Sequence, residues 1–299
     1  MKKLFLLSKE NLDLSKDEVL NLYKPKKHMI IEDILIFETT LNFSNRLSLT
    51  KKVYQVLEQE IEWDKIIISP FKVTGKKEDE KKYAKIIWNM VNNPSVDLKN
   101  PKTEIEIIKK GDETFICKLE TKISTDWKKR LPHLKPEMSP TSLNPRIAMA
   151  MINLTGKIDG KLCDPFCGTG GILVEAGLMN YDIIGFDIDE ITLKKAKVNL
   201  HYYNIKKYDL SKKDALKNGD KFDVVVTDLP YGKNTKITEN LKSLYKNFFE
   251  KYYDLCDVMV VGIPSYMDKK ILFGNWKIET RYEIYLHSTL SKNIIVLKK

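Results

Sequence analysis

The sequence predicts an α/β protein: an open, doubly wound, mostly parallel sheet with an antiparallel edge, preceded by a region of α+β character. Three features carry that expectation. From residue 141 onward, short apolar runs alternate with stretches of helical periodicity, the rhythm of successive βα units. Before residue 125, strand-like and helix-like stretches interleave without that rhythm. Between them, residues 126–140 hold Pro132, Pro136 and Pro140 with the charges Lys128, Lys129 and Arg130, which reads as a linker. A chain of 299 residues can form two or three packed domains. The boundaries expected are 1–125, 126–140 and 141–299.

In the first region, residues 2–7, 33–39, 65–73, 103–108 and 113–123 read as strands. Residues 16–23, 49–60 and 80–92 read as helices, the last with Tyr83, Ile86, Ile87, Met90 and Val91 on one face. After the linker, Asn144-Pro145 signals a helix start for residues 143–154. Strand 160–164 then leads into helix 170–180, and strand 182–187 into helix 190–203. A strand near 207–210, the strand 222–227, a helix over 236–253 and a strand over 257–263 follow. Residues 277–287 and 293–298 close the chain as a hairpin. In such a sheet, ligands belong at the carboxyl ends of the strands.

Composition narrows the class. A chain 42% hydrophobic and 10% aromatic is not disordered. No apolar run approaches the roughly 20 residues of a membrane-spanning helix, so no membrane association is expected. The start Met1-Lys2-Lys3-Leu4-Phe5-Leu6-Leu7 imitates a signal peptide but breaks at Ser8-Lys9-Glu10, and reads as an amphipathic first strand of a cytoplasmic protein. Cys117, Cys163, Cys167 and Cys256 are too scattered for a disulfide framework or a metal site. Neither a metal nor a disulfide is expected. The net charge of +10 suits a polyanionic partner. Only four basic residues are Arg, however, and no basic arm stands out. A monomer is the default.

The most informative segment is Asp228-Leu229-Pro230-Tyr231-Gly232, which closes the apolar run 222–227. A carboxylate, a Pro-fixed backbone and an aromatic face at a strand end suit a flat base and its exocyclic amine. Upstream, Cys163-Asp164-Pro165-Phe166-Cys167-Gly168-Thr169-Gly170-Gly171 lies where a strand turns into a helix, and its glycines allow close approach of a ligand. No Gly-Lys-Ser/Thr follows, so it is not a P-loop, and Leu173 holds the last glycine position of a dinucleotide fingerprint. Asp187, 23 residues after Asp164, can grip a ribose diol or cap a helix, a role open equally to Asp189. Asp214-Ala215 can meet an adenine amine or form a surface turn.

In this order the pieces resemble class I S-adenosylmethionine-dependent methyltransferases, with a Rossmann-like fold. Asp228–Gly232 resembles their (Asp/Asn/Ser)-Pro-Pro-(Tyr/Phe/Trp) motif, with Leu229 in place of the first Pro. The run 164–179 is similar to archaeal enzymes that methylate the amino group of guanosine 10 in tRNA, and 139–146 matches the segment preceding the glycine turn there. Ser69-Pro70-Phe71-Lys72-Val73 and Val96-Asp97-Leu98-Lys99-Asn100-Pro101 resemble THUMP RNA-binding domains, about residues 65–125. The resemblance implies S-adenosylmethionine as cofactor, held by Thr141, Asp164, Phe166, Gly168, Gly170, Asp187, Ile188, Asp214, Ala215 and Asp228. It implies tRNA as partner, with Lys72, Lys99, Asn100 and Arg130 as candidate contacts against the alternative of a solvated charged face.

For the chemistry, the Asp228 carboxylate and the Leu229 carbonyl would accept from the amine hydrogens. Pro230 would fix the turn and Tyr231 would stack on the base. Since position 229 contributes its carbonyl, the change from Pro is tolerated, with a looser local turn expected. The alternatives are amine methylation of another guanosine or of adenine in structured RNA, or a non-catalytic RNA-binding protein with a vestigial methyltransferase fold.

Overall fold

The computed structural model describes all residues except 59, 140–141, 231–234, 268–272 and 288–289, and within helices and strands it leaves the side chains of 235–240, 286–287 and 290 undescribed. The chain forms two compact units. One comprises Met1–Lys16, Tyr23–Asn45 and Leu49–Ser124, and the other Asp17–Leu22, Arg46–Ser48 and Thr125–Lys299.

The first unit is built on β1 (Lys2–Leu7), β2 (Met29–Ile31), β3 (Ile34–Glu38), β4 (Thr50–Leu57), β5 (Phe71–Thr74), β6 (Thr103–Lys110) and β7 (Glu113–Lys122). They form one sheet in the order β2-β3-β1-β4-β7-β6-β5, antiparallel except for β5 beside β6. The helix α1 (Leu12–Tyr23) follows β1, and the helical turn α2 (Trp63–Ile66) and helix α3 (Lys77–Met90) flank β5. Ile87 of α3 packs into a cluster with Trp63, Phe71 and Ile105.

Two expectations fail here, each for a local reason. Residues 49–60 do not form a helix, because 50–57 form the strand β4. Its buried residues Thr50, Val53, Tyr54 and Leu57 fall at i, i+3, i+4 and i+7, the spacing of a helix face. Both faces of β4 are covered: Tyr54 pairs with Leu4 and Val53 with Phe5, neighbours on β1 that point to opposite sides, so burial does not alternate along the strand. The strand expected over 65–73 is shorter, because Pro70 has no N–H to offer a ladder and pairing with β6 starts at Phe71↔Thr103.

The second unit contains α4 (Pro145–Leu154), β8 (Lys161–Asp164), α5 (Gly171–Leu178), β9 (Asp182–Asp187), α6 (Glu190–Tyr202), β10 (Tyr208–Lys212), β11 (Val224–Asp228), α7 (Thr235–Tyr253), β12 (Val258–Pro264), β13 (Lys277–His287) and β14 (Leu290–Lys298). The strand order is β10-β9-β8-β11-β12-β14-β13. The first five strands in that order are parallel, while β14 and β13 close the edge antiparallel. This is the doubly wound sheet with an antiparallel edge that the alternation predicts. Its order reverses between β8 and β11, and that reversal opens a crevice beyond their carboxyl ends. On α7, Tyr245, Phe248, Phe249 and Tyr252 form one fully buried stripe, packed with Val225, Met259 and Ile295 of the sheet. Each such side chain contributes about 1.5–3 kcal/mol of burial energy. Asn144 Oδ1 accepts from Arg146 N at 2.9 Å, so the Asn-Pro pair starts α4 as a cap followed by Pro at the first helical position.

Residues 126–140, expected as a linker, belong to the second unit and carry two short 3-10 turns, Asp126–Arg130 and Pro132–Leu134. The charge of Arg130 is directed inward. Its Nε and Nη2 donate to Glu175 Oε1 and Oε2 at 2.8 and 2.7 Å, and the Glu175 side chain is 1% exposed. Glu175 lies on α5, a short helix whose other interior residues are all apolar and buried, so Arg130 supplies the countercharge that lets the carboxylate stay there. Burial pushes the Glu175 carboxyl up and the guanidinium draws it back. Arg130→Met should cost about 3–5 kcal/mol of stability at pH 7 in urea unfolding, because it strands a buried charge. Part of the loss should return as the pH falls, because a carboxyl with a raised folded-state pKa takes up a proton and the stranded charge is neutralised.

Candidate active site

Parallel strands bring acidic residues to one end of the sheet. β8 ends at Asp164, β9 at Asp187 and β11 at Asp228, and Asp214 follows β10. All four line a cavity of about 760 Å³ that also takes in Gly168, Ile188 and Ala215. Against these four carboxylates the cavity wall offers two cations, Lys195 and Lys213. A phosphate group would meet like charge there, whereas a cationic ligand meets attraction.

The glycine turn shapes the floor. Gly168 has φ +52°, and a side chain built on it would meet nothing within 4 Å, so its backbone borders open cavity. Gly170 has φ +79° as the residue preceding α5, a left-handed conformation that favours glycine. Gly168 N donates to Asp187 Oδ2 at 3.0 Å and Asp189 N to Asp187 Oδ1 at 2.9 Å. A carboxylate accepts about four hydrogen bonds, which leaves Asp187 capacity for a diol. The cap of α6 is Asp189, through Ile191 N at 2.9 Å and Thr192 Oγ1 at 2.8 Å. Of the two candidates, the cap of α6 is therefore Asp189 and not Asp187. Asp214 caps the turn Ala215–Lys217 by accepting from Leu216 N at 3.0 Å, and Ala215 is buried beside it. Ile188 is 73% exposed at the cavity and offers apolar surface.

Asp164 is fully enclosed. Its Oδ1 accepts from Thr227 Oγ1 at 2.6 Å and Phe166 N at 3.2 Å. Burial nevertheless pushes its carboxyl up to about 7, and the charges of Asp228 and Asp187 add to the rise. Asp228 lies at the end of the neighbouring strand. Lys292 Nζ donates to its Oδ2 at 2.5 Å, with the two side chains 4% and 14% exposed. Oδ1 has no hydrogen-bond partner among the described residues. Burial raises the Asp228 carboxyl and the Lys292 charge opposes that rise.

Leu229 is buried in the α7 cluster, and its N–H donates to Gly262 O at 3.0 Å. The turn expected to be loose is therefore tied to β12. Pro230 O accepts from Tyr245 Oη at 2.5 Å. Tyr231 and Thr141 lie outside the described residues. Beside Thr141, Ser142 Oγ lies 3.1 Å from Thr169 Oγ1, and Ser142 lines the cavity.

The expected RNA contacts are divided between the two units. Lys72 is half-buried on β5. Lys99 and Asn100 are exposed in a turn closed by their backbone N–H groups on Asp97 Oδ1, at 2.8 and 3.0 Å. Arg130 is engaged by Glu175 in the other unit. Sequence reasoning missed Lys292, Thr227, Gly262 and Lys135. The last is a buried ammonium about 3.6 Å from where a side chain on Gly171 would begin, without a hydrogen-bond partner among the described residues and lowered by burial. A lysine within an edge hairpin carries no sequence signal of burial, and the partnership of Lys292 emerges only from strand register. Among the described residues no cluster of three His, Cys, Asp or Glu is placed to hold a metal ion, and no helix is long and apolar enough to cross a membrane.

An acid-lined crevice over a glycine turn, at the switch point of a doubly wound sheet, marks a class I S-adenosylmethionine-dependent methyltransferase. A family profile described as "RMKL-like, methyltransferase domain" matches residues 132–291. Another, described as "DNA methylase", matches residues 2–198 and so stops short of Asp228. A tRNA (guanine(10)-N2)-dimethyltransferase of Methanothermobacter thermautotrophicus is 31% identical over 257 residues, 81% of this chain and 76% of its own. Its counterpart from Pyrococcus abyssi is 32% identical, covering 80% and 77%. The chain belongs to the tRNA (guanine(10)-N2)-dimethyltransferase family. The crystal structure of TrmN from Thermus thermophilus, 18% identical, shares the fold with a TM-score of 0.53 over 100% of both chains.

The residues present fit the cofactor. S-adenosylmethionine carries a sulfonium and an ammonium, and the cavity presents four carboxylates, an open glycine backbone and an apolar rim. Asp164 gives the fit a measurable consequence. Its raised carboxyl is largely protonated at pH 6 in the free protein, so its contribution to stability is complete below about pH 4 and is lost as pH rises toward 7. A cation bound beside it favours the ionised form. Calorimetry of S-adenosylmethionine binding at pH 6, in two buffers of different ionisation enthalpy, should show net proton release, and Asp164→Asn should abolish that release.

Proposed function

We propose that this chain transfers one or two methyl groups from S-adenosylmethionine to the exocyclic N2 amine of guanosine 10 in tRNA. Family membership supports the substrate, and one observation supports the chemistry. Asp228 ends β11 at the cavity wall with one carboxylate oxygen held by a cation and the other without a partner among the described residues. A buried acceptor left unpaired is costly unless a ligand completes it.

The cofactor, when bound, supplies an electrophilic methyl group. Asp164, Gly168, Asp187 and the Asp214-Ala215 turn would hold it. The rest of the work falls to the β11 loop. Guanine's N2 lone pair is delocalised into the ring, so the amine attacks poorly until its hydrogens are drawn toward acceptors. Asp228 accepts one and the Leu229 carbonyl the other, while Pro230 and its bond from Tyr245 fix the loop. As the nitrogen gains positive character its protons become acidic, so a carboxylate acceptor suffices and no strongly basic group is required. Positioning and oriented acceptors supply the rate. Tyr231 is the candidate to stack on the base. A base within folded tRNA must be unstacked to arrive here, at a cost of a few kcal/mol.

The THUMP-like first unit is the docking module in this reading, with Lys72, Lys99 and Asn100 as candidate phosphate contacts. The cytoplasm is the compartment the reading assigns, supported by four free, buried cysteines that suit a reducing one.

Unmodified tRNA transcript incubated with labelled S-adenosylmethionine should gain label at N2 of guanosine 10, located by nucleoside mapping. Label on an adenine or another guanosine would overturn the assignment. Asp228→Ala should lower the turnover about 100- to 1,000-fold, in line with loss of one oriented catalytic group. Affinity for tRNA should stay within about threefold, since the lost interaction with the base belongs to the transition state.

A further inference from the structure

Strand register explains how a lysine reaches the amine-accepting loop. Asp228 pairs with Gly262 across the parallel β11–β12 ladder, and Gly262 pairs with Ile294 across the antiparallel β12–β14 ladder. Lys292, aligned with Pro264, is two residues from Ile294 and therefore projects from the same face of the sheet as Asp228. Its stem runs back over Gly262. A side chain built on Gly262 would begin 2.5 Å from Asp228 Oδ1 and 3.3 Å from Lys292 Cδ. The absent side chain on β12 is what lets a cation from β14 touch a carboxylate on β11, with one strand between them.

A buried ion pair is rarely more stable than apolar side chains of the same volume. Stability alone therefore gives no reason for a buried ion pair at this point of the sheet. The charged groups facing Asp228 from the elements around it are Lys292 from β14 and Asp164 from β8. β12 contributes uncharged Gly262. Without Lys292, burial and a neighbouring acid would both favour the protonated carboxyl, which presents a hydrogen where the reaction needs an acceptor.

We propose that Lys292 is a positioning residue for methyl transfer, holding Asp228 ionised and fixing its Oδ2 so that the remaining acceptor capacity serves the substrate amine. The proposal rests on the reading of Asp228 as the amine acceptor. The ion pair also limits Asp228 to accepting hydrogen bonds, since an ammonium at Oδ2 opposes protonation until the amine nitrogen has become cationic.

The test compares Lys292→Met and Lys292→Arg with the unaltered protein in kcat and KM for tRNA between pH 6 and 9.5. Lys292→Met should lower kcat at pH 7 about 100-fold, a loss of the size seen when one oriented charged group is removed. KM should hold within about threefold, as expected when ground-state binding is untouched. The acid limb of the kcat profile should move up by at least about one pH unit, since the carboxyl loses its cation. Lys292→Arg should keep the original limb. An unchanged profile in Lys292→Met, or a uniform loss with an unmoved limb, would overturn the proposal.

Should Lys292→Met fail to fold, carboxyl carbon NMR on the unaltered protein decides, with the Asp228 signal assigned through Asp228→Asn. Asp228 should be ionised throughout pH 6–8, and a protonated Asp228 at pH 7 would refute the role. That titration needs no RNA. It therefore separates failure of the Lys292 role from failure of the tRNA reading, which shows instead as absence of methyl transfer by the unaltered chain.

Discussion

Two carboxyl groups end neighbouring parallel strands in this protein, and the surroundings of the sheet's switch point can be read as compensation for keeping them there. Asp164 is enclosed and Asp228 nearly so. Each would neutralise itself in an apolar pocket, and their mutual repulsion adds to that tendency. The structure answers the two cases differently. Asp164 receives neutral donors, the Thr227 hydroxyl and the Phe166 N–H, and its carboxyl stays raised to about 7. Asp228 receives an ammonium. Neighbouring acids thus meet different partners, one neutral donors alone and the other a cation that opposes the rise burial causes.

The topology is what permits this division. A parallel sheet collects strand ends on one side, and its helices cover its faces, so the strand ends meet at the crevice while the strands behind them stay buried. The antiparallel edge adds something the parallel strands lack: β14 runs the other way and delivers its first residues, Lys292 among them, to the same end of the sheet. The stripe of α7 aromatics seals the face behind β11, and Tyr245 from that stripe reaches Pro230. Packing and site therefore share residues, and α7 both builds the core and holds the loop.

How much of this was legible in the sequence follows from which interactions are local. The glycine turn, the acidic strand ends and the βα alternation are local patterns, and the second sheet forms as they imply. β4 was misread because cover on both of its faces gave a strand the burial spacing of a helix, and that cover depends on distant partners such as β1 and β7, which a window of sequence does not contain. Arg130 reads as a free surface cation until α5 brings Glu175 against it. Lys292 is hidden for the same reason, since its partner is 64 residues away and the contact depends on two registers and one glycine.

Leu229 shows how a departure from a familiar motif can be absorbed by its surroundings. A Pro at that position would set the turn through its ring, and it would have no N–H. Leu229 has one, and spends it on Gly262 O, extending the β11–β12 pairing one residue beyond the strand. The side chain meanwhile fills the cluster beneath α7. Rigidity that a ring would supply covalently comes here from a ladder bond and from packing, with Pro230 and Tyr245 fixing the next residue. The bond lands on Gly262, the residue whose missing side chain also admits Lys292 to Asp228. Loop geometry and carboxylate charge thus converge on one backbone position of β12. A substitution at Gly262 would therefore disturb both, although that residue contributes no side chain to the chemistry.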